Sequence, residues 1–187
     1  TSVYMEYWFG SGSKTNISLS GNGQYTTSVD IQSTSIDNLN YIFHAVDSSG
    51  NWESSSIFSK EVIDNDIPIF GSDRSDTIGT TGDPCKFNIE VNDNIEISDV
   101  YVHYWFGARP IQNITLTGSG LYSNVITIPF DSLDKLHYRF YALDTSGNMN
   151  STQQKIVDIL DNDVPFFTGD SSSSNGTTGD RFLVNIS

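Results

Sequence analysis

A gapless internal repeat with a period of 97 residues runs through the whole chain. Tyr4, Tyr7, Trp8, Phe9 and Gly10 return as Tyr101, Tyr104, Trp105, Phe106 and Gly107. Asn16 and Leu19 return as Asn113 and Leu116, and Asp47, Gly50 and Asn51 as Asp144, Gly147 and Asn148. The block Asp64-Asn65-Asp66 with Pro68 and Phe70 reappears as Asp161-Asn162-Asp163 with Pro165 and Phe167, and Thr80-Thr81-Gly82-Asp83 as Thr177-Thr178-Gly179-Asp180. A match of this length without one insertion is not chance. The period far exceeds the roughly 20–45 residues of solenoid units, so each copy is expected to be a whole domain.

Within one copy, short apolar runs are separated by turn residues at the spacing of an all-β domain. Seven strands are expected, at 67–70, 85–91, 100–106, 111–117, 121–128, 136–143 and 151–160. Leu136, Tyr138, Phe140 and Ala142 alternate at period two, and Leu39, Tyr41, Phe43 and Ala45 do the same in the first copy. No stretch carries a helical period. The expected fold is all-β: tandem seven-stranded sandwiches, each of two antiparallel sheets packed face to face.

The set Tyr-Trp-Phe-Gly, Asn-x-x-Leu, Leu-x-Tyr-x-Phe-x-Ala-x-Asp-x-x-Gly-Asn, Asp-Asn-Asp-x-Pro-x-Phe and Thr-Thr-Gly-Asp resembles the immunoglobulin-like or fibronectin-type-III-like repeats of archaeal, methanogen-type cell-surface proteins. The resemblance covers the whole chain. It implies an extracellular location and a structural or adhesive role. The Asp-Asn-Asp-x-Pro linker is also similar in its chemistry to the calcium linkers of cadherins.

Catalysis finds little support. The 97-residue counterparts of His44, His103 and His137 are Tyr141, Glu6 and Asn40, so no histidine site is duplicated. The lone Cys85 corresponds to Phe182, which points to packing rather than nucleophilic chemistry. There is no Gly-x-Ser-x-Gly elbow and no phosphate-binding loop lysine. Nine basic residues against 23 acidic ones give a net charge of −14, which argues against nucleic-acid partners. No apolar run approaches the roughly 20 residues of a membrane-spanning helix.

The acidic junctions carry the most chemistry. In an extended Asp64-Asn65-Asp66 both carboxylates are expected on one side, and Ile67 is held extended by Pro68. Two carboxylates so close repel one another, and Ca2+, which takes 6–8 hard oxygens, relieves that repulsion. In a sandwich of this topology the loops at 92–94 and 144–148 return to the same pole. Asp93, Asn94 and Asp144 are therefore expected to join Asp64, Asn65 and Asp66 around calcium. The second junction is expected to use Asp161 and Asp163 with Asp47 of a neighbouring domain. Asp73 and Asp170 read as turn caps.

Five Asn-x-Ser/Thr sequons occur. Asn16, Asn113, Asn150 and Asn175 are expected glycan acceptors. Asn16 and Asn113 are repeat equivalents, and alternation with Ile114 and Leu116 inward sends Asn113 and Thr115 outward. Asn185 is set aside as part of a paired strand.

The expected domains are an incomplete copy at 1–63, a linker at 64–66, a complete copy at 67–160, a linker at 161–163 and two strands of a further copy at 164–187. The first copy lacks its first two strands, and the tail carries that alternation at Phe182, Val184 and Ile186. The tail of one subunit is therefore expected to complete the first domain of the next, by strand donation into a head-to-tail homopolymer; the alternative is that the sequence is one stretch of a longer continuous tandem polypeptide. This makes the chain an extracellular filament, sheath or surface-layer protein stiffened by calcium at its junctions. The alternative is an adhesin arm binding a carbohydrate or protein.

Overall fold

The computed structural model describes residues 2–187, and among them no helix is long and apolar enough to cross a membrane. All regular structure is β. The first copy contains β1 (Ser2–Phe9), β2 (Thr15–Ser18), β3 (Ser20–Asn22), β4 (Gln24–Thr26), β5 (Leu39–Val46), β6 (Trp52–Ser54) and β7 (Phe58–Lys60). The second contains β8 (Ile69–Asp73), β9 (Ile78–Thr80), β10 (Pro84–Asn92), β11 (Ile97–Phe106) and β12 (Gln112–Thr115). It continues with β13 (Thr117–Ser119), β14 (Leu121–Thr127), β15 (Leu136–Asp144), β16 (Met149–Ser151) and β17 (Lys155–Leu160).

The second copy is a closed two-sheet sandwich. One sheet runs β13-β14-β10-β8; the other runs β12-β11-β15-β17-β9, with β16 also on β15. The period-two alternation of β15 sends Leu136, Tyr138, Phe140 and Ala142 into the core at 0–4% exposure. There they meet Phe87 and Ile89 of β10 and Val100 and Val102 of β11. Phe87 sits at the centre, its ring centroid 5.2 Å from Tyr138 and 6.1 Å from Phe140. Cys85 is buried in the same core, as its pairing with Phe182 in the repeat implied. Burial, with Asp76 second, pushes its thiol up to about 11. The Tyr138 hydroxyl donates to Asp73 Oδ2 at 2.9 Å, and Lys155 Nζ lies 2.7 Å from the same oxygen. Asp73 thus ties β8 to the opposite sheet instead of only capping a turn.

The strands depart from the expected seven in three places. The segment 111–117 divides at the buried Leu116: β12 pairs with β11, whereas β13 crosses to β14 in the other sheet. Gly118 permits the crossing, because a Cβ there would collide with the Leu121 carbonyl, and its φ is 152°. The last strand divides into β16 and β17 on the same partner. A further strand, β9, lies parallel to β17. Its Gly79 approaches so closely that a Cβ would strike Ile128 and Ile159.

The first copy repeats the hydrogen-bond skeleton but not the closure. Met5 pairs with Phe43 as Val102 pairs with Phe140. Its sheet β2-β1-β5-β6, with β7 on β5, faces only the small ribbon β3-β4. Residues 164–187 form a ribbon of their own, bridged at Asp170 and Ile186 and closed by Thr168 N–H to the Ser187 carbonyl at 2.6 Å. Val164, Phe166, Phe167, Phe182, Leu183, Val184 and Ile186 are all exposed.

Candidate metal centre at the domain junction

Three loops converge where the linker enters the second copy. The turn after β15 is built by Asp144, whose Oδ1 accepts the N–H groups of Ser146 and Asn148, both at 2.8 Å. Its Oδ2 accepts the Asn148 side-chain amide at 2.8 Å. Asp47 makes the same three bonds to Ser49 and Asn51, so the repeated Asp-x-x-Gly-Asn encodes this turn in both copies. In the second copy Asn148 reaches further and donates to the Asp64 carbonyl at 3.2 Å. Asp93, between β10 and β11, accepts the Ile95 N–H on Oδ2 at 2.9 Å.

These contacts bring one carboxylate oxygen from each of Asp64, Asp93 and Asp144 within 4.8 Å of one another. Asp144 is buried at 2% exposure, and Asp64 and Asp93 are half-buried. Asp64 Oδ2 and Asp93 Oδ1 are shut from solvent with no hydrogen-bond partner among the described residues. None of the ion pairs of the described residues reaches this cluster. At that separation each carboxylate pair repels by about 3 kcal/mol at an effective dielectric near 20. Burial pulls the Asp144 carboxyl up, but the bonds from Asn148, Ser146 and Gly147 outweigh it and hold it below the ordinary range. Hard, anionic, unpartnered oxygens in a half-buried cluster match the donor chemistry of calcium.

The remaining expected ligands fall outside. Asp66 is not brought into the cluster: its N–H donates to Asp64 Oδ1 at 3.1 Å and its side chain is exposed. Asn65 is exposed beside it. Asn94 lies at the edge of the cluster, its amide donating to Asp64 Oδ1 at 3.3 Å and to the Ser33 carbonyl of the first copy at 2.8 Å. That bond, and a cleft of about 200 Å³ lined by Ile31, Ile36, Ile63 and Ile95, place the cluster against both domains.

The second junction is arranged differently. Asp161 Oδ1 and Asp163 Oδ2 lie 3.2 and 3.1 Å from the single hydroxyl of Thr81, and Asn162 donates to Asp83 at 3.0 Å. Asp47 of the same chain sits in its own exposed turn in the first copy. Among the described residues, Asp64, Asp93 and Asp144 form the one group of three. Asn148 and Thr81 were missed from sequence, because Asn148 read only as turn chemistry and Thr81 only as part of a repeated tetrad.

The sequons divide as well. Asn16, Asn113 and Asn175 are exposed, with Thr115 outward and Ile114 half-buried as the alternation required. Asn150 differs from them: it is half-buried on β16, and its amide donates to the Pro68 carbonyl at 2.7 Å, which helps hold the linker. In Tyr-Trp-Phe-Gly, Tyr104 packs against the core and Phe106 is in it, while Trp105 stacks on His137 at 5.3 Å. Packing therefore accounts for the motif.

No protein-family model and no curated protein matches the chain. Among solved structures it is similar to the FN1–FN3 domains of chicken CNTN1, at 11% identity and a TM-score of 0.44, over 92% of this chain and 61% of that one. It is similar to a tetra-tandem repeat in the extending region of a large adhesion protein, at 23% identity and 0.39, over 84% of this chain and 42% of that one. A chimeric titin Z1Z2-Z1Z2 tandem is similar at 15% identity and 0.34, over 87% and 85%. The chain spans about three fifths of the first of these and two fifths of the second. The sheets themselves define the fold as a tandem of immunoglobulin-like all-β domains, the second a closed sandwich.

Proposed function

We propose that this chain is part of an extracellular structural polymer, a filament, sheath or surface layer, whose sandwich domains are locked at their junctions by Ca2+. One observation carries the reading: Asp64 Oδ2 and Asp93 Oδ1 are buried and unpartnered beside Asp144, at the boundary of the two copies. A linker carboxylate and two loop carboxylates that share an ion hold the linker to the second copy. Asn94, already bonded to Ser33, passes that restraint to the first. A net charge of −14 suits a cation-rich exterior, and the exposed Asn16 and Asn113 suit glycan cover.

Thermal unfolding in Ca2+ and in chelator tests this, alongside calorimetric titration with Ca2+. One ion per chain is expected to bind and raise stability by about 2.7 kcal/mol at one hundred times the dissociation constant. Asp93→Asn is expected to abolish the effect, whereas Asp161→Asn leaves it intact. Identical melting in calcium and chelator, with no heat of binding, sinks the proposal.

A further inference from the structure

An outward aromatic strip lies beside a sequon in both copies. Strand alternation turns Val100, Val102 and Phe106 of β11 into the core, so Tyr101, His103 and Trp105 face away from it. The neighbouring β12 is an edge strand, and its register sets Thr115 opposite Tyr101 and Asn113 opposite His103. Asn113 is therefore flanked on its own face by Tyr101 on one diagonal and Trp105 on the other, at the roughly 7–8 Å typical of diagonal cross-strand neighbours. Every residue of this frame belongs to the closed sandwich of the second copy. The first copy repeats it: Ser18 is opposite Tyr4, and Asn16 is opposite Glu6, between Tyr4 and Trp8.

The rings stand so that one face of each is open toward β12. Tyr101 stacks on Tyr141 of β15, with centroids 5.1 Å apart and planes 5° apart. Trp105 stacks on His137 of the same strand at 5.3 Å and 8°. Each stack occupies the β15 side of the ring, so the other face turns to the side where Asn113 lies. His103, 5.5 Å from Tyr101 and 4.6 Å from Tyr141, fills in beneath Asn113. In the first copy Tyr4 stacks on His44 of β5 in the same way, at 4.8 Å. There the free face of Trp8 is already occupied: the Lys14 ammonium sits 4.6 Å from the ring centroid and 2.7 Å from Glu6. The counterpart of Lys14 is Ile111, which is 62% exposed, so the second copy leaves that seat open.

We infer that the first sugar of a glycan on Asn113 is seated between Tyr101 and Trp105, with its C–H faces against their open rings. On Asn16 the equivalent sugar packs against Tyr4 alone. Attachment exchanges one Nδ2–H of Asn113 for a bond to C1 of a phosphate-activated sugar; the phosphate leaves and the proton goes to solvent. A pyranose carries hydroxyls around its rim and apolar C–H bonds on its faces. An aromatic face offers those C–H bonds apolar area and the negative side of its quadrupole, while the rim hydroxyls stay in water. The covalent tether makes the contact intramolecular, so seating loses none of the translational freedom that a free sugar would give up. The glycan thereby becomes part of the outer layer of the domain. This rests on the glycan cover proposed above and does not depend on the metal.

The full chain, secreted from a host whose N-linked glycans begin with N-acetylglucosamine, provides the test. Peptide mapping by mass reads occupancy at Asn113. In the unfolding transition of 67–160, the glycosylated chain is expected to melt about 4 °C above its Asn113→Gln variant. In a background of Tyr101→Leu with Trp105→Leu the same difference is expected to vanish, and this cycle separates seating from any effect of the aromatic changes on the sheet. Proton NMR gives a readout that stability does not: the ring protons of the first sugar are expected to be shifted upfield by the ring currents of Tyr101 and Trp105, and to return to ordinary positions in the leucine background. Ordinary sugar shifts in the parent chain, or a melting difference that survives loss of both rings, overturn the inference and leave the acceptor role of Asn113 intact. Movement of the Tyr101 and Trp105 resonances when the N-acetylglucosamine disaccharide is added to the glycosylated chain also overturns it, because seated faces have no room for a second sugar. A bare Asn113 would refute the acceptor role itself.

Discussion

The two copies of the repeat share a skeleton and differ in what covers it. Leu136, Tyr138, Phe140 and Ala142 are closed off by β10 and β14, whereas Leu39, Tyr41, Phe43 and Ala45 remain half-buried. Ile128 is 1% exposed and its counterpart Ile31 is 49% exposed. One local substitution partly compensates. Phe58 stands where the second copy has Lys155, and it stacks on Tyr41 at 5.3 Å and lies 6.1 Å from Phe43. The contrast teaches that cross-strand pairing within a sheet is settled by the nearest strands, while a core exists only when a second sheet arrives.

The largest test of this contrast is a matched pair of truncations. Phe140→Ala is expected to cost about 3–5 kcal/mol in the unfolding transition of 67–160, through lost burial and the cavity left behind. Phe43→Ala in dissociated chain is expected to cost about 1 kcal/mol or less, since its ring already meets water. Urea unfolding followed separately in the two domains checks this; equal costs would break the comparison.

A smaller effect is expected at the tyrosine pair. Tyr138→Phe removes one hydrogen bond to a charged acceptor and should cost about 1.5 kcal/mol. Tyr41→Phe should be close to neutral, since the Tyr41 side chain is only half-buried. Burial raises the Asp73 carboxyl, but bonds from Lys155, Ser75 and Tyr138 outweigh it and hold it below its ordinary value of 3.8. A depressed folded value stabilises above the unfolded one and is lost as pH falls through the folded one. Acid titration of stability should therefore show the second copy losing more below about pH 4 than its Tyr138→Phe variant does.

The smallest effect concerns Cys85, which has no counterpart thiol in the first copy. Its value, raised from 9.0 to about 11, means that the unfolded chain ionises first. The stabilisation is present below about pH 9 and declines as pH rises toward about pH 11. Labelling of Cys85 should report only opening of 67–160. Fast labelling of the folded chain would contradict the burial.

Much of the carboxylate cluster was legible because its members have separate local jobs. Asp144 closes a turn, Asp93 caps a loop and Asp64 opens the linker, and the sandwich topology alone brings those three loops to one pole. Asp66 stands apart because its backbone N–H bonds Asp64 Oδ1 while its own side chain stays exposed, which the strand pattern does not show. The bond from the Asn150 amide to Pro68 was not legible either, because a sequon says nothing of what its amide meets in the fold. The division at Leu116 and the parallel β9 were hidden for a related reason: both are changes of partner sheet, and a strand's own residues do not show which sheet it joins.

What the residues determine unaided is therefore local and periodic. The 97-residue period sets the domain unit, alternation sets which side chains face inward, Asp-x-x-Gly-Asn sets its turn in both copies, and Thr-Thr-Gly-Asp sets its own in the second copy and in the tail. Tertiary structure alone decided which inward faces are dry and which carboxylate oxygens are stranded. Both depend on surfaces many residues distant, where the same Leu, Tyr and Phe become core or groove according to whether a second sheet displaces the water.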